Sequence, residues 1–208
     1  MKSGKIKEYA VIVALGVGSF LTGYLISQYV YGEICDHLSC PASLVLIHTV
    51  GFFVGVFPLT LYLERTHKSI LKAALITLGL VGSWFITLKL WPIVNATLME
   101  HIGIFWFHAR EFPPIISIFS DPALLVYNGL WSFSFGGLVL LSRRIKRKDT
   151  LLVAVFLFLV LIFSMKVPSY FIVTDAEYQI LQRSIFGGLF SILVKRFLIA
   201  DRINKRKP

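Results

Sequence analysis

Three groups of residues in this chain carry side chains able to do chemistry. Cys35 and Cys40 lie in the segment GEICDHLSCPA with four residues between them. They can close that segment as a disulfide if it faces an oxidising compartment. Alternatively Cys40, directly before Pro41 at the start of an apolar run, sits where a helix N-terminus favours the thiolate and so a nucleophile. The second group is polar: His37, His48, His101 and His108 recur among Glu33, Asp36, Glu100, Glu111 and Asp121. Such a set can supply acid and base groups or bind a solute. None of its spacings is that of a metal motif such as H-E-x-x-H, so no metal and no cofactor is assigned. The third is a single residue, Arg183, a charge inside a weakly apolar segment, with Asp121, Asp175 and Glu177 as candidate partners. An ionisable group within a membrane span faces a partner or a cavity, or reaches back to the interface. His48, Arg183 and Asp121 are therefore the candidate substrate-binding residues.

The elements that hold these groups follow from composition. Of 208 residues, 56% are hydrophobic and 15% charged, where a soluble domain carries about 25% charged residues. The apolar residues come in uncharged runs of about 20, enough to cross roughly 30 Å of hydrocarbon as a helix. The expected fold is all-α: one polytopic membrane bundle over residues 1–208 with six spans at about 9–31, 42–63, 70–91, 122–142, 150–167 and 178–200. The first run is longer than a signal-peptide core of about 7 to 15 residues and ends without a small-residue cleavage pattern, so it is expected to be kept as a helix. His48 lies about two turns inside the second span, and Pro58 near its far end would bend a membrane helix without stopping it. Trp91 and Pro92 mark the expected exit of the third. An irregular interfacial segment then covers about 96–120. The sixth span is the weakest, because it must include Arg183, Lys195 and Arg196. Thr174 with Glu177 forms a capping-box pattern that would start it.

The cations sort by side once six spans are laid out with the N-terminus inside. Of the 21 Lys and Arg residues, 17 fall in inner segments, and four, Lys89, Arg110, Lys166 and Arg183, fall on the outer side. That asymmetry is what orients a protein with its basic loops in the cytoplasm. Five spans would instead place the basic tail DRINKRKP outside. The expected location is the cell membrane, with both termini cytoplasmic and the partners being the bilayer itself and anionic lipid headgroups on the inner face. The net charge of +10 is thereby accounted for without nucleic acid, since no domain presents it. Gly16, Gly18, Gly51, Gly55, Gly136, Gly137, Gly187 and Gly188 are placed where small residues let membrane helices touch.

From about Cys40 to Trp131 the chain resembles the exosortase and archaeosortase transpeptidases, which combine a cysteine at the membrane edge with Arg and His on the outer face. The resemblance implies Cys40 as nucleophile, Arg110 as charge stabiliser and His108 as base. It departs where that family carries an Asn followed three residues later by Arg, for this chain has Asn95 and Leu98. Three classes of function remain: a solute-transport or substrate-binding component, a cysteine enzyme of the outer face, and an accessory subunit packed against a membrane-protein partner. The first is preferred, because nearly all the mass lies in the bilayer and the polar groups gather at one end of the bundle. No nucleotide-binding loop is present, so any energy input comes from a partner or an ion gradient.

Overall fold

Backbone N–H and C=O groups in hydrocarbon must be satisfied within their own segment, so the uncharged runs fold as helices. The computed structural model describes residues 2–34, 40–64, 68–102, 122–141, 147–169, 171 and 174–199. Its helices are α1 (Lys2–Ile34), α2 (Cys40–Glu64), α3 (Lys68–Ile102), α4 (Pro122–Leu141), α5 (Arg147–Ser169) and α6 (Asp175–Leu193), the last running on as a π-helical turn over Val194–Ile199. Four of them, α1, α2, α3 and α5, are long and apolar enough to cross a membrane. The described residues are thus all-helical, with helices compatible with a membrane protein.

Each helix packs against the next in sequence, and α6 closes on α1, so the six form a ring. Glu8, near the start of α1, pairs with Lys195, just past the end of α6, at 2.8 Å, so the first and last helices bring their chain ends to the same end of the ring. The seam between them is made by glycine. A Cβ on Gly16 would collide with the Gly187 carbonyl oxygen, and one on Gly187 would collide with Gly16. Gly23 meets Gly51 of α2 in the same way. Backbones in such contact gain dispersion and close packing, which drive helix association where lipid removes the hydrophobic incentive. The glycine pattern is thus largely structural as expected, with two exceptions: Gly18 and Gly137 face open space.

An aromatic core fills the ring. Phe20 of α1 meets Phe186 and Phe190 of α6 edge to face at 5.2 and 5.8 Å between centroids. Phe52 of α2 lies 6.3 Å from Trp131 of α4. These pairings tie non-consecutive helices together through the middle of the bundle, each being worth about 0.5–1.5 kcal/mol beyond its buried area.

Several helices run past the expected spans, α1 among them, which begins at Lys2. α3 does not end at Trp91 and Pro92 but continues to Ile102, because a proline inside a membrane helix removes one hydrogen bond without ending the ladder. The first part of the expected interfacial segment is therefore helical, and the rest lies outside the described residues. α5 begins at Arg147 and ends at Ser169, which adds residues at both ends of the expected fifth span. α2 runs through Pro58 as expected. α6 starts with the anticipated capping box, in which the Thr174 hydroxyl accepts from the Glu177 N–H and the Glu177 carboxylate accepts from the Thr174 N–H.

Candidate functional site

Within the ring the helices part around two adjoining cavities of about 240 Å³ and 150 Å³. His48, Phe52 and Arg183 line both and form their common wall. The larger cavity adds Tyr24, Ser27 and Gln28 from α1, and the smaller adds Trp84, Trp131, Leu161 and Gln182 from the other side of the ring. All six helices contribute. The contributing residues fall in the second half of α1 and α5, at the middle of α3, and in the first half of α2, α4 and of α6 with its π-helical turn, the pattern of helices that alternate in direction. The chamber accordingly lies from the middle of the bundle toward the end away from the Glu8–Lys195 pair.

Arg183 reaches this place because α6 starts about two and a half turns before the uncharged run that opens at Ser184, with its cap at Thr174. Eight residues of α6 then carry the chain about 12 Å along the helix axis from Asp175 to Arg183. Its guanidinium carbon stands 5.8 Å from the centroid of the Tyr24 ring, near the outer limit for a cation–π contact. Its Nε is buried and has no hydrogen-bond partner. Of the carboxylates that the sequence offers as partners, Glu177 is engaged by Thr174 at 2.8 Å, and among the described residues neither it nor Asp175 forms an ion pair with Arg183. Asp121 lies outside the described residues. Among the described residues no acid lines either cavity.

His48 stacks on Trp84 with ring centroids 4.3 Å apart and planes 15° from parallel. The stack fixes one face of the imidazole and turns an isolated histidine into part of an aromatic wall. Trp131 is anchored in turn by its indole N–H, which donates to the Leu80 carbonyl at 3.1 Å. Several small polar residues nearby are committed inside their own helices. The Ser27 hydroxyl donates to the Tyr24 carbonyl at 2.7 Å, and Ser164 to Leu161 at 2.9 Å. Their protons are therefore not available to an occupant, whereas their oxygens can still accept.

No match is found. Comparison with protein-family models, with curated proteins and with solved structures returns nothing similar to this chain, so neither the transpeptidase resemblance nor any other family is supported by relatives. The site is read from its own residues.

Of the candidate residues, the structure brings His48 and Arg183 together across the ring. Cys40 is the first residue of α2, about 12 Å along the helix from His48, and its side chain lies outside the described residues. Cys35, His108 and Arg110 are outside them as well. No disulfide is formed among the described residues, and no group of His, Cys, Asp and Glu there could hold a metal ion. Sequence reasoning missed Tyr24, Gln28, Trp84 and Gln182. One signal was available for the first two: Tyr24, Ser27 and Gln28 fall at positions i, i+3 and i+4, which places them on one helical face of an otherwise apolar span.

Proposed function

We propose that the chain crosses the cell membrane six times with both termini in the cytoplasm, and that it is a solute-transport or substrate-binding component whose site is the chamber around Arg183. The observation that carries this reading is the chamber itself: a cavity lined from every helix, toward one end of the bundle, around a cation that no described side chain neutralises. A charge is costly in a membrane interior, and where one occurs it commonly marks a substrate or ion path. The division of 17 cations against four supports placing the chain ends inside and the chamber toward the outer face. The spans beyond the four strongly apolar helices are α4 and α6. α4 has 20 residues, about 30 Å at 1.5 Å per residue, which matches the hydrocarbon thickness.

A structural or accessory role would need no cavity. The two readings separate in thermal unfolding of the purified full-length protein against a panel of anionic, neutral and cationic solutes. A solute that raises the unfolding temperature in the wild type and has no effect on Arg183→Ala or His48→Ala supports the binding reading. No response to any member of the panel, together with stoichiometric co-purification of another membrane protein, would replace it with the accessory role. Orientation is tested separately by fusing a reporter after Pro208, expected to be active only in the cytoplasm.

A further inference from the structure

The two cavities share a wall, and both mix polar with aromatic side chains. Tyr24, Ser27 and Gln28 line the larger beside Phe20, Ile47 and Phe52, and Trp84, Tyr127, Trp131 and Phe186 line the smaller, aromatic lobe beside Ser164 and Gln182. Arg183 belongs to both. We propose that the chamber binds a small amphiphilic organic anion, its carboxylate or phosphate head on Arg183 and its apolar body against the aromatic side chains of the lining. The proposal rests on the solute-binding reading above and adds the chemical class of the solute.

Charge decides first. Among the described residues the lining contains one arginine and no acid. A cationic occupant would meet like charge in a low-dielectric setting, whereas an anion would supply the counter-charge that the chain does not. The Arg183 Nε–H is buried with its hydrogen bond unmade. A guanidinium offers a planar fork of N–H donors that matches a carboxylate or phosphate through two parallel bonds. The Tyr24 ring face compensates the charge but accepts none of those in-plane hydrogen bonds. Because the Ser27 proton goes to the Tyr24 carbonyl, the neutral donors in the lining include the Tyr24 hydroxyl and the Gln28 and Gln182 amides.

Shape decides the rest. An inorganic anion would satisfy Arg183 and leave the aromatic side chains of the lining without the dispersion contacts that an apolar body would make. Such a body meets Trp84, Trp131 and Phe186 in the smaller lobe. Each cavity is smaller than the roughly 300–1,000 Å³ of pockets for drug-sized ligands, with about 240 Å³ in the larger lobe and 150 Å³ in the smaller, aromatic one. The occupant is therefore about the size of a single ring or a short chain with one charged group.

The test uses the full chain in phosphatidylcholine nanodiscs, followed by tryptophan fluorescence, since Trp84 and Trp131 line the chamber. Benzoate and phenyl phosphate are the probes, with benzyl alcohol, benzylamine and inorganic phosphate as comparisons. At least one of the aromatic anions is expected to bind saturably and about tenfold or more tighter than each comparison. Arg183→Gln is expected to lower that affinity by tenfold or more, and Arg183→Lys to recover part of it by keeping the charge without the fork. Equal binding of benzylamine or benzyl alcohol, or unchanged affinity in Arg183→Gln, overturns the proposal, as does failure of both anions to bind. If Arg183→Gln does not fold, the order of the five probes on the unsubstituted protein still decides. A second arm replaces part of the lipid with phosphatidylglycerol. Competition with the bound anion would identify a lipid headgroup as the source of the same chemistry, and no competition would identify a soluble anion. A neutral or cationic solute that binds in the chamber while the anions do not would refute the anion class and leave the solute-binding reading standing.

Discussion

The two ends of the α1–α6 seam treat a cation in opposite ways. At the end near the chain termini, Lys195 pairs with Glu8 at 2.8 Å and lies 4.0 Å from the centroid of the Tyr9 ring. Close by, Lys72 pairs with Glu64 across the α2–α3 turn. Twelve residues before Lys195 along the same helix and its π-helical turn, Arg183 has an aromatic face, no acid among the described residues and a buried N–H without an acceptor there. Between them the glycine crossing of Gly16 and Gly187 locks the two helices in contact. The difference separates two uses of charge. Where the chain supplies the counter-charge, the pair joins helix ends; where it does not, the space beside the cation has been left for something else.

The largest way to break this comparison is to remove the crossing that divides the two ends. Gly187→Leu would drive a side chain into the Gly16 carbonyl, backbone that cannot swing aside. Overpacking ordinarily costs about 1–3 kcal/mol, and rigid backbone puts this case at or above about 3 kcal/mol. The expected readout is loss of the monodisperse species in size-exclusion chromatography. Gly18→Leu, into open space on the same helix as Gly16, is expected to stay within about 0.5 kcal/mol of wild type. If both variants behave alike, the seam is not what holds α1 to α6.

The next effect has the opposite sign. Arg183→Met removes a partly buried cation that lacks a counter-charge, so the unliganded protein is expected to become more stable by about 1–2 kcal/mol, below the roughly 2.5–3.5 kcal/mol assigned to an arginine at the centre of a membrane helix. Its response to any bound anion should disappear at the same time. Stability gained together with binding lost is the signature of a charge kept for a ligand. Lower stability without ligand would mean that Arg183 is part of the scaffold.

How much of this was legible in the sequence depends on which physical signal carried it. The helices were readable because hydropathy reports what the bilayer demands, and the cap at Thr174 was readable because it is a local pattern. Gly16, Gly51, Gly55 and Gly187 were recognisable as packing positions, while Gly23 was not, since nothing in the order of residues says that α1 will meet α2 at that level. That α3 runs on past Pro92 was not legible, because Pro92 would end a helix in water far more readily than in a membrane. His48 and Arg183 each stood out as polar groups in apolar runs. That they share a wall was invisible, because it depends on α6 closing the ring beside α2. Trp84 and Gln182 carried no signal as site residues, for aromatic and amide side chains are also ordinary at membrane interfaces.

Thr174→Ala tests how firmly the chamber end of α6 is set. The capping box is exposed, and its loss is expected to cost about 1 kcal/mol. Hydrogen exchange should rise at the amides of Glu177 and Tyr178, which bond to Thr174, while the Gly16–Gly187 crossing stays protected. Equal loosening at both places would show that α6 moves as one rigid body and that the two ends are not independent.

The smallest expected effect belongs to the paired end. Glu8→Gln removes the acid from Lys195 and leaves the Tyr9 contact in place. The Glu8 side chain is 51% exposed, and ion pairs in that setting contribute about 0.2–1 kcal/mol. The loss should therefore be slight, and it should vanish near 1 M salt, where the screening length falls to about 3 Å. The gain from Arg183→Met, by contrast, should survive high salt if no ion reaches the buried Nε. Should chloride at that concentration stabilise the wild type but not Arg183→Met, the chamber is open to small anions and the aromatic lobe adds less selectivity than its shape implies. Should the Glu8→Gln loss exceed the Arg183→Met gain, the contrast between the two ends reverses. The terminal pair would then be the electrostatic centre of the fold, and the cation in the chamber would be incidental to it.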